Sequence, residues 1–392
     1  MNLFLISFFS LYAGMHLYVF LKTKAGLALG AWGGSFLALF MLTMVFAPVI
    51  VRFSERAGLE VFARTISYIG FIWMGILFLF ISVSIVIDIY RILIYIAGFI
   101  SGSDLSSIKL SVRSVFYVPL LISLSIASYG YFEARDIRTE TLVIETSKIP
   151  REVGRLKIVQ ISDIHLGLIV RGKRLERILR EVTKANPDIL VSTGDLVDGQ
   201  MDGLKGLAEL FNNINLKYGK FAVTGNHEFY AGIDNSLDFT ERAGFKVLRG
   251  EGLTVSGLIN IAGVDDPAGK NYNLFKDVSE KKLLSGLPRE KFTLLLKHRP
   301  TIDKSSAGLF DLQLSGHTHK GQIFPFSLIT RLYYTVHTGS SKLTDNSFLY
   351  VSRGSGTWGP PIRFLSPPEV TVIELVYPEN QESGNKRDVS EQ

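Results

Sequence analysis

Residues 156–167 read LKIVQISDIHLG, and this stretch decides the fold of the second part of the chain. The run Leu156–Ser162 is short, apolar and rich in β-branched residues, which predicts a buried strand. Asp163 and His165 follow directly, where the apolar run ends. Residues two apart in an extended segment lie on the same face. We therefore expect these two side chains to point to the same place.

Beyond this stretch, segments with helix and strand patterns alternate along the chain. A helix is predicted over Arg171–Ala185, followed by a strand at Asp188–Thr193, a helix at Met201–Asn213 and a strand at Lys220–Thr224. This alternation is typical of an α/β domain with a largely parallel sheet. Later strands lie closer together and predict a second, mixed sheet packed on the first: Ile259–Val264, Phe292–Lys297, Asp311–Ser315, Leu332–His337, Phe348–Ser352 and Val370–Leu375.

Five of the predicted strands end in carboxylate, carboxamide or imidazole groups. Ligands of open α/β sheets gather at the carboxyl ends of strands. The chain has no Cys, and carboxylates with imidazoles but no thiolate suit Mn, Fe, Zn or Ni. Seven candidate ligands are too many for one tetrahedral site and predict two divalent ions that share a bridging carboxylate. The strand ends are SDIHLG (162–167), STGDLVDG (192–199), TGNHEFY (224–230), LKHRP (296–300) and SGHTHKGQ (315–322).

Each of these motifs also has an ordinary structural explanation when it is taken alone. A Gly-Asp pair after a strand commonly forms a turn, Asn-His can cap a helix, and a lone His can simply end a strand. All five motifs together, each directly after an apolar run, make the purely structural explanation implausible.

In this order, the motifs resemble those of the calcineurin-like metallophosphoesterase superfamily. The pattern of that superfamily is D-x-H, G-D, G-N-H-E/D, a single H and G-H-x-H, and the resemblance covers about residues 150–376. It implies a four-layer αββα sandwich. The four apolar stretches in front of the domain resemble membrane-anchored members of the superfamily.

The resemblance also implies a role for each residue of the motifs. His227 would give a hydrogen bond or a proton to the phosphate or its leaving group, and Glu228 would orient His227. Two divalent metal ions bound at these motifs would activate a bridging hydroxide for attack on phosphorus. One ion would be held by Asp163, His165, Asp195 and His319, and the other by Asp195, Asn226, His298 and His317, with Asp195 as the bridge.

Three further residues lie outside the predicted ligand set and need an interpretation. Arg363 lies in a Gly- and Pro-rich segment and could bind the substrate phosphate through two hydrogen bonds, or it could belong to a surface loop. Lys320 would add positive charge near the last motif and could contact the substrate. Asp198 is interpreted as a loop or helix-cap residue. The sequence after Asp198 lacks the D-R-G of serine/threonine protein phosphatases, which argues against that subgroup.

The first third of the chain has a different composition. The chain has 392 residues, and residues 1–130 hold only 8 of its 42 Lys and Arg and 4 of its 36 Asp and Glu. A transmembrane helix needs about 20 mostly apolar residues. Ile92–Ile100 is too short to cross alone and would extend the third helix or lie in the interface. Four stretches qualify as spans: Leu3–Leu21, Leu27–Val51, Tyr68–Tyr90 and Ser114–Phe132.

These patterns predict a transmembrane region at 1–135, a linker at 136–150, a catalytic domain at 151–376 and a disordered tail at 377–392. A cleaved signal peptide is the alternative for the first span, although no Lys or Arg precedes it. The side of the membrane that carries the domain has seven flanking basic residues and the other side has five. This excess favours a cytoplasmic domain, on the inner membrane if the source is bacterial.

The sequence therefore predicts a membrane-anchored, dinuclear-metal phosphohydrolase. The alternative is a membrane scaffold or sensor whose phosphoesterase-like domain only binds a ligand. We expect a phosphodiester or pyrophosphate substrate, and a lipid-linked one is among the candidates. The apolar segment 324–329 closely follows the last motif and could line an acyl chain or dip into the interface; a buried core strand is its alternative. The expected partners are the lipid bilayer and this substrate. No basic stripe points to nucleic acid, and no protein partner can be inferred.

Overall fold

The computed structural model describes residues 2–199, 204 and 206–378, so nearly all of the predicted disordered tail lies outside the described residues. The first part of the chain forms four helices: α1 (Asn2–Gly26), α2 (Ala31–Arg56), α3 (Glu60–Ser101) and α4 (Val112–Glu133). All four are long and apolar enough to cross a membrane. They confirm the four-helix region; three of the predicted spans lie within their helices, and the second, Leu27–Val51, begins four residues before α2. The stretch Ile92–Ile100 extends α3, which has 42 residues.

The outer surface of this helical region is apolar. Phe36, Leu39, Ile92 and Phe99 are each more than half exposed. Apolar surface this extensive is typical of helices that face lipid rather than water.

The described residues after α4 form two six-stranded sheets and six α-helices. The strands are β1 (Arg138–Glu145), β2 (Arg155–Ile161), β3 (Ile189–Ser192), β4 (Lys220–Ala222), β5 (Phe245–Val247), β6 (Glu251–Val255), β7 (Ile259–Gly263), β8 (Phe292–Leu296), β9 (Leu312–Ser315), β10 (Gly339–Thr344), β11 (Ser347–Val351) and β12 (Glu369–Val376). The helices are α5 (Gly172–Ala185), α6 (Leu207–Leu210), α7 (Asn226–Ala231), α8 (Ile233–Arg242), α9 (Glu280–Ser285) and α10 (Phe326–Tyr333).

The two sheets pack face to face. The first sheet has the order β1-β12-β2-β3-β4-β5 and the second has the order β10-β11-β9-β8-β7-β6. In β2, Ile158 packs against the second sheet, whereas Val159 packs under α5, α6 and α8. On the far face of the second sheet, Leu295 packs against Leu284 of α9. This arrangement confirms the predicted four-layer αββα sandwich.

Three sequence predictions need correction here. Residues 136–150, predicted as a linker, include β1, which pairs in parallel with β12 because Leu142 and Ile144 pack against the core between the sheets. The predicted strand Leu332–His337 is wrong, since α10 continues to Tyr333 and no strand follows before β10. Within the predicted helix Met201–Asn213, the described residues form only α6 and one 3₁₀ turn.

The two-sheet domain packs directly on the apolar helices. Leu79 of α3 and Ala127 of α4 form one apolar cluster with Ile323 and Ile362 of the domain. The backbone N–H of Arg363 donates to the carbonyl oxygen of Gly130 at 3.0 Å. The domain is therefore fixed to the helices by packing as well as by the connecting chain.

Gly130 is expected to be essential for this contact. A Cβ atom at Gly130 would lie 2.6 Å from the Arg363 carbonyl oxygen, so Gly130→Ala should separate α4 from the domain. Such overpacking costs about 1–3 kcal/mol, and we expect thermal unfolding in detergent to begin several degrees lower. Gly14→Ala in α1 is the matched control, because a Cβ there meets nothing within 4 Å. Equal unfolding temperatures for the two variants would contradict this packing role.

Candidate metal centre

The five polar motifs converge at one edge of the two sheets. The motif segments follow β2, β3 and β4, which run parallel in the first sheet, and β8 and β9, which run parallel in the second sheet. Backbone hydrogen bonds join the first two segments, from Asp163 N–H to the Gly194 oxygen and from His165 N–H to the Asp195 oxygen, both at 3.0 Å. The sandwich thus holds residues from distant parts of the chain in one rigid site.

The backbone of the motifs is not extended, contrary to the sequence expectation. Asp163 and His165 have φ values of 51° and 56°, and His317 and His319 have values of 70° and 47°. Left-handed backbone at a residue other than glycine costs on the order of 1 kcal/mol or more and is typical of functional sites. The two side chains of each D-x-H or H-x-H pair still reach the same site, but through turns rather than along a strand.

Glycines in the motifs allow neighbouring motif segments to approach one another closely. A Cβ at Gly225 would collide with the Asp195 carboxylate, and a Cβ at Gly316 would collide with Ser162 and Asp163. The G-N-H and G-H-x-H motifs therefore need glycine for space beside the carboxylates.

One group of donor atoms surrounds Asp163. His165 Nε2 lies 3.1 Å from His319 Nε2, and His319 Nε2 lies 3.4 Å from Asp163 Oδ1. These three buried side chains bring one ligand atom each within 4.8 Å of the others.

A second group surrounds His298. Its Nε2 lies 3.2 Å from Asn226 Oδ1 and 3.1 Å from His317 Nδ1. Its Nδ1 lies 2.8 Å from the Thr193 carbonyl oxygen and donates to it, so in the neutral imidazole Nε2 carries the lone pair that a metal ion would bind. Asp195 lies between the two groups, with Oδ2 3.3 Å from His298 Nε2 and 3.7 Å from His165 Nε2.

These distances fit bound divalent ions. An ion held about 2.1 Å from each ligand places neighbouring ligand atoms about 3.0–3.4 Å apart. Imidazole nitrogens that face one another at 3.1 Å can share either a proton or a cation. The structure thus brings the seven predicted ligands together, and this donor set suits divalent metal ions.

The electrostatics of the site follow from burial and from its carboxylates. Burial opposes a charge on His298, but Asp195 and Asp163 outweigh it and raise the pKa of His298 to about 10. Burial raises the pKa of Asp163 to about 6. Burial, with His298 acting in the same direction, lowers the pKa of His317 to about 2. The carboxylates therefore attract positive charge to the position between the two donor groups.

His227 has a partner that the sequence interpretation missed. Its Nδ1 lies 2.8 Å from Asp198 Oδ1, so Asp198 is a site residue rather than a simple loop residue. Burial opposes a charge on His227, but Asp195 and then Asp198 raise its pKa to about 9. The only sequence signal was the position of Asp198 three residues after Asp195, which does not reveal which histidine it contacts.

Glu228 has a different role from the one expected. Its carboxylate accepts hydrogen bonds from the backbone N–H groups of Asp195, Leu196 and Gly225 at 2.7–3.0 Å. It therefore holds the Asp195 segment in place, and the ring of His227 is oriented by Asp198 instead.

Arg363 and Lys320 are not placed as substrate ligands. Arg363 is fully buried and donates to the carbonyl oxygens of Arg353 and Gly356, and its Nη2 lies 3.0 Å from His319 Nδ1. Because its guanidinium is occupied by these groups, it supports the loop behind His319. Lys320 is flanked by residues that line the cavity described next, but it does not line that cavity itself.

A cavity of about 470 Å³ opens from these ligands towards the membrane helices. The hydroxyl of Tyr12 in its wall is buried and has no hydrogen-bond partner among the described residues. The polar end of the cavity includes Asp195, Asn226 and His227. Its other walls are largely apolar and come from α1 (Phe8, Leu11, Tyr12, Met15), α3 (Met74, Gly75, Phe78) and the segment around α10 (Ile323, Phe326, Thr330).

Comparisons with known proteins agree with this site. The sequence profile named calcineurin-like phosphoesterase matches residues 156–321. An "uncharacterized metallophosphoesterase" of Aquifex aeolicus is 42% identical over 259 residues, which cover 65% of this chain and 98% of that protein. Another of Campylobacter jejuni is 32% identical over 336 residues, 83% of this chain and 87% of that protein. A Danio rerio "transmembrane protein with metallophosphoesterase domain" is 31% identical over 268 residues, 65% of this chain and 61% of that protein.

Proposed function

Since this chain belongs to the calcineurin-like phosphoesterase family, we propose that it is a membrane-anchored, two-metal phosphohydrolase that cleaves a lipid-linked phosphodiester or pyrophosphate. The observation that carries the proposal is the cavity, because a single space is bounded by the metal-ligand residues and by two membrane helices. A soluble metabolite would have no use for an apolar wall made of transmembrane residues.

The shape of the domain near the membrane supports a lipid substrate. The side chains of Phe324, Phe326, Leu328 and Ile329 are each 39–56% exposed, so this segment is not a core strand. The ring of Phe326 lies 6.1 Å from that of Phe78 in α3, and both residues line the cavity. An acyl chain in the bilayer would therefore meet an apolar path from α3 and α10 to the metal ligands.

The reaction assigns separate tasks to the residues of the chain. Two divalent ions would supply positive charge to the phosphate oxygens and activate a water nucleophile. Asp195 would join the two ligand groups, and Glu228 would hold the Asp195 backbone. His227, oriented by Asp198, would donate a proton to the leaving oxygen. The free hydroxyl of Tyr12 is suited to donate a hydrogen bond to the substrate headgroup.

The lipid-substrate proposal can be tested by narrowing the apolar end of the cavity. Leu11→Trp adds volume at an exposed residue of α1 that lines the cavity, whereas Leu17→Trp makes the same change at a comparably exposed residue of α1 that does not line it. We expect Leu11→Trp to lower hydrolysis of a lipid pyrophosphate in vesicles by about tenfold or more, because the larger ring narrows the apolar path; a tenfold loss corresponds to about 1.4 kcal/mol. Hydrolysis of bis-nitrophenyl phosphate should change less than twofold, and Leu17→Trp should affect neither substrate.

The same measurement separates the competing hypotheses. Equal losses for the lipid and the soluble ester would refute a lipid substrate and leave the helices as an anchor only. No hydrolysis of any ester by the metal-loaded wild-type protein would favour the scaffold or sensor.

We also propose a cytoplasmic catalytic domain, which requires activity on added substrate in inside-out membrane vesicles. Activity only in right-side-out vesicles would reverse this orientation.

A further inference from the structure

A group of arginines lies where α5 meets the membrane helices, and it takes no part in the proposed reaction. Arg174 is in the first turn of α5, and its Nε and Nη2 atoms are buried without a hydrogen-bond partner among the described residues. Buried guanidinium donors that lack an acceptor are unfavourable. The Nε and Nη2 groups of Arg174 therefore call for an acceptor, and an anion would also balance the positive charge.

The surroundings of Arg174 supply further positive charge. Burial, together with the nearby Arg135 and Arg177, lowers the pKa of Arg174 to about 9. Two acidic side chains of the flanking segments have other partners, since Glu60 pairs with Arg171 at 2.5 Å and Asp136 contacts Arg138 at 3.5 Å. The first turn of α5 contains no acidic residue, and no side chain caps it.

The position of the group is at the end of the membrane helices. Arg135 follows α4, its guanidinium stacks 3.3 Å from the ring centroid of Tyr131, and its Nη1 donates to the Tyr131 carbonyl oxygen at 2.6 Å. Tyr68 of α3 donates its hydroxyl to the Ile169 oxygen at 3.1 Å, just before α5. Tyrosines and arginines at helix ends are typical of the lipid headgroup region.

We propose that Arg174 and Arg135, with the uncapped first turn of α5, bind a phosphate group supplied by the headgroup of an anionic lipid. A phosphate would satisfy the free Nε and Nη2 donors through paired, charge-assisted hydrogen bonds. The N-terminal end of α5 would add favourable N–H dipoles. The site is separate from the catalytic cavity, because neither arginine lines that cavity. The proposal does not depend on hydrolysis.

Thermal unfolding of the full chain in neutral detergent tests this site. We expect short-chain phosphatidylglycerol to raise the unfolding temperature by about 3–8 °C at saturating concentration, and phosphatidylcholine of the same chain length to raise it much less. Arg174→Met should abolish the rise. Without lipid, Arg174→Met should unfold no earlier than the wild type, because it removes a buried unpaired charge.

Controls keep the outcome specific to the arginine site. Arg180→Gln, an exposed change on the same helix, and Leu11→Trp in the catalytic cavity should both keep the full rise. Arg135→Gln should reduce it, and this variant decides the question if Arg174→Met does not fold. An equal rise with inorganic phosphate would support a phosphate site but overturn the lipid source. No rise in the wild type, or an undiminished rise in both arginine variants, would overturn the site itself.

Discussion

Replacing Asp195 by alanine is expected to remove both metal ions and to reduce phosphoesterase activity by at least about 10³-fold. Asp195 Oδ2 faces ligand nitrogens of both donor groups, at 3.3 Å from His298 and 3.7 Å from His165, so its loss weakens both sites at once. Metal charge is worth several kcal/mol of transition-state stabilisation, and each 1.36 kcal/mol corresponds to tenfold in rate. Metal content by elemental analysis and rate with an aryl phosphodiester measure the two effects.

His319→Ala provides the informative comparison for Asp195→Ala. His319 belongs to the first donor group, with Asp163 and His165, and not to the group around His298. We therefore expect about one ion per chain to remain. Asp311→Ala controls for the loss of a partly buried carboxylate elsewhere, because Asp311 pairs with Lys148 at 2.6 Å. Full metal content in Asp195→Ala would disprove the bridging role.

The sequence was sufficient to predict which residues meet in the site. Asp163 and Asp195 follow strands of the first sheet and His298 follows a strand of the second sheet, and in each sheet parallel strands bring their carboxyl ends to one edge. The two sheets were predicted from the strand pattern and the four-layer sandwich from the family resemblance; strands such as β2 carry apolar residues on both faces, as this sandwich requires. The meeting of the motifs was predictable because it depends on local periodicity and on general sheet geometry, whereas the roles of the residues stay predictions.

Contacts between distant segments were not predictable from the sequence. Asp198 contacts His227 only because two separate strand-end turns meet. Glu228 accepts hydrogen bonds from backbone N–H groups instead of contacting the ring of His227. Arg363 lies in a segment whose Gly and Pro residues suggested a surface loop, yet the loop folds back against α4 and buries it. Nothing in the sequence of α1 indicates that Leu11 lines the catalytic cavity. Each of these outcomes depends on tertiary packing rather than on a local pattern.

Replacing His227 by alanine is expected to keep the metal ions and to lower activity by about 10²–10⁴-fold, the range for a general acid. His227 lines the cavity, and its Nδ1 contacts Asp198 at 2.8 Å, which leaves the other ring nitrogen free for a substrate. Asp198→Asn should keep the histidine but misorient it, and a smaller loss is expected. The metal content shows whether the ions are kept, and the rate of hydrolysis of an alkyl phosphodiester shows the loss of activity.

The dependence on the leaving group decides whether His227 donates a proton. An alkoxide is a poor leaving group and needs a proton as the bond to phosphorus breaks, whereas nitrophenolate can leave without one. If His227 is the acid, the His227→Ala loss should shrink by about tenfold or more from an alkyl ester to a nitrophenyl ester, and Asp198→Asn should show the same trend. A metal ligand would behave differently, since its removal lowers the metal content and slows both esters alike. Equal losses with intact metal content would mean that His227 positions the phosphate without transferring a proton, because hydrogen bonding to the phosphate does not depend on the leaving group.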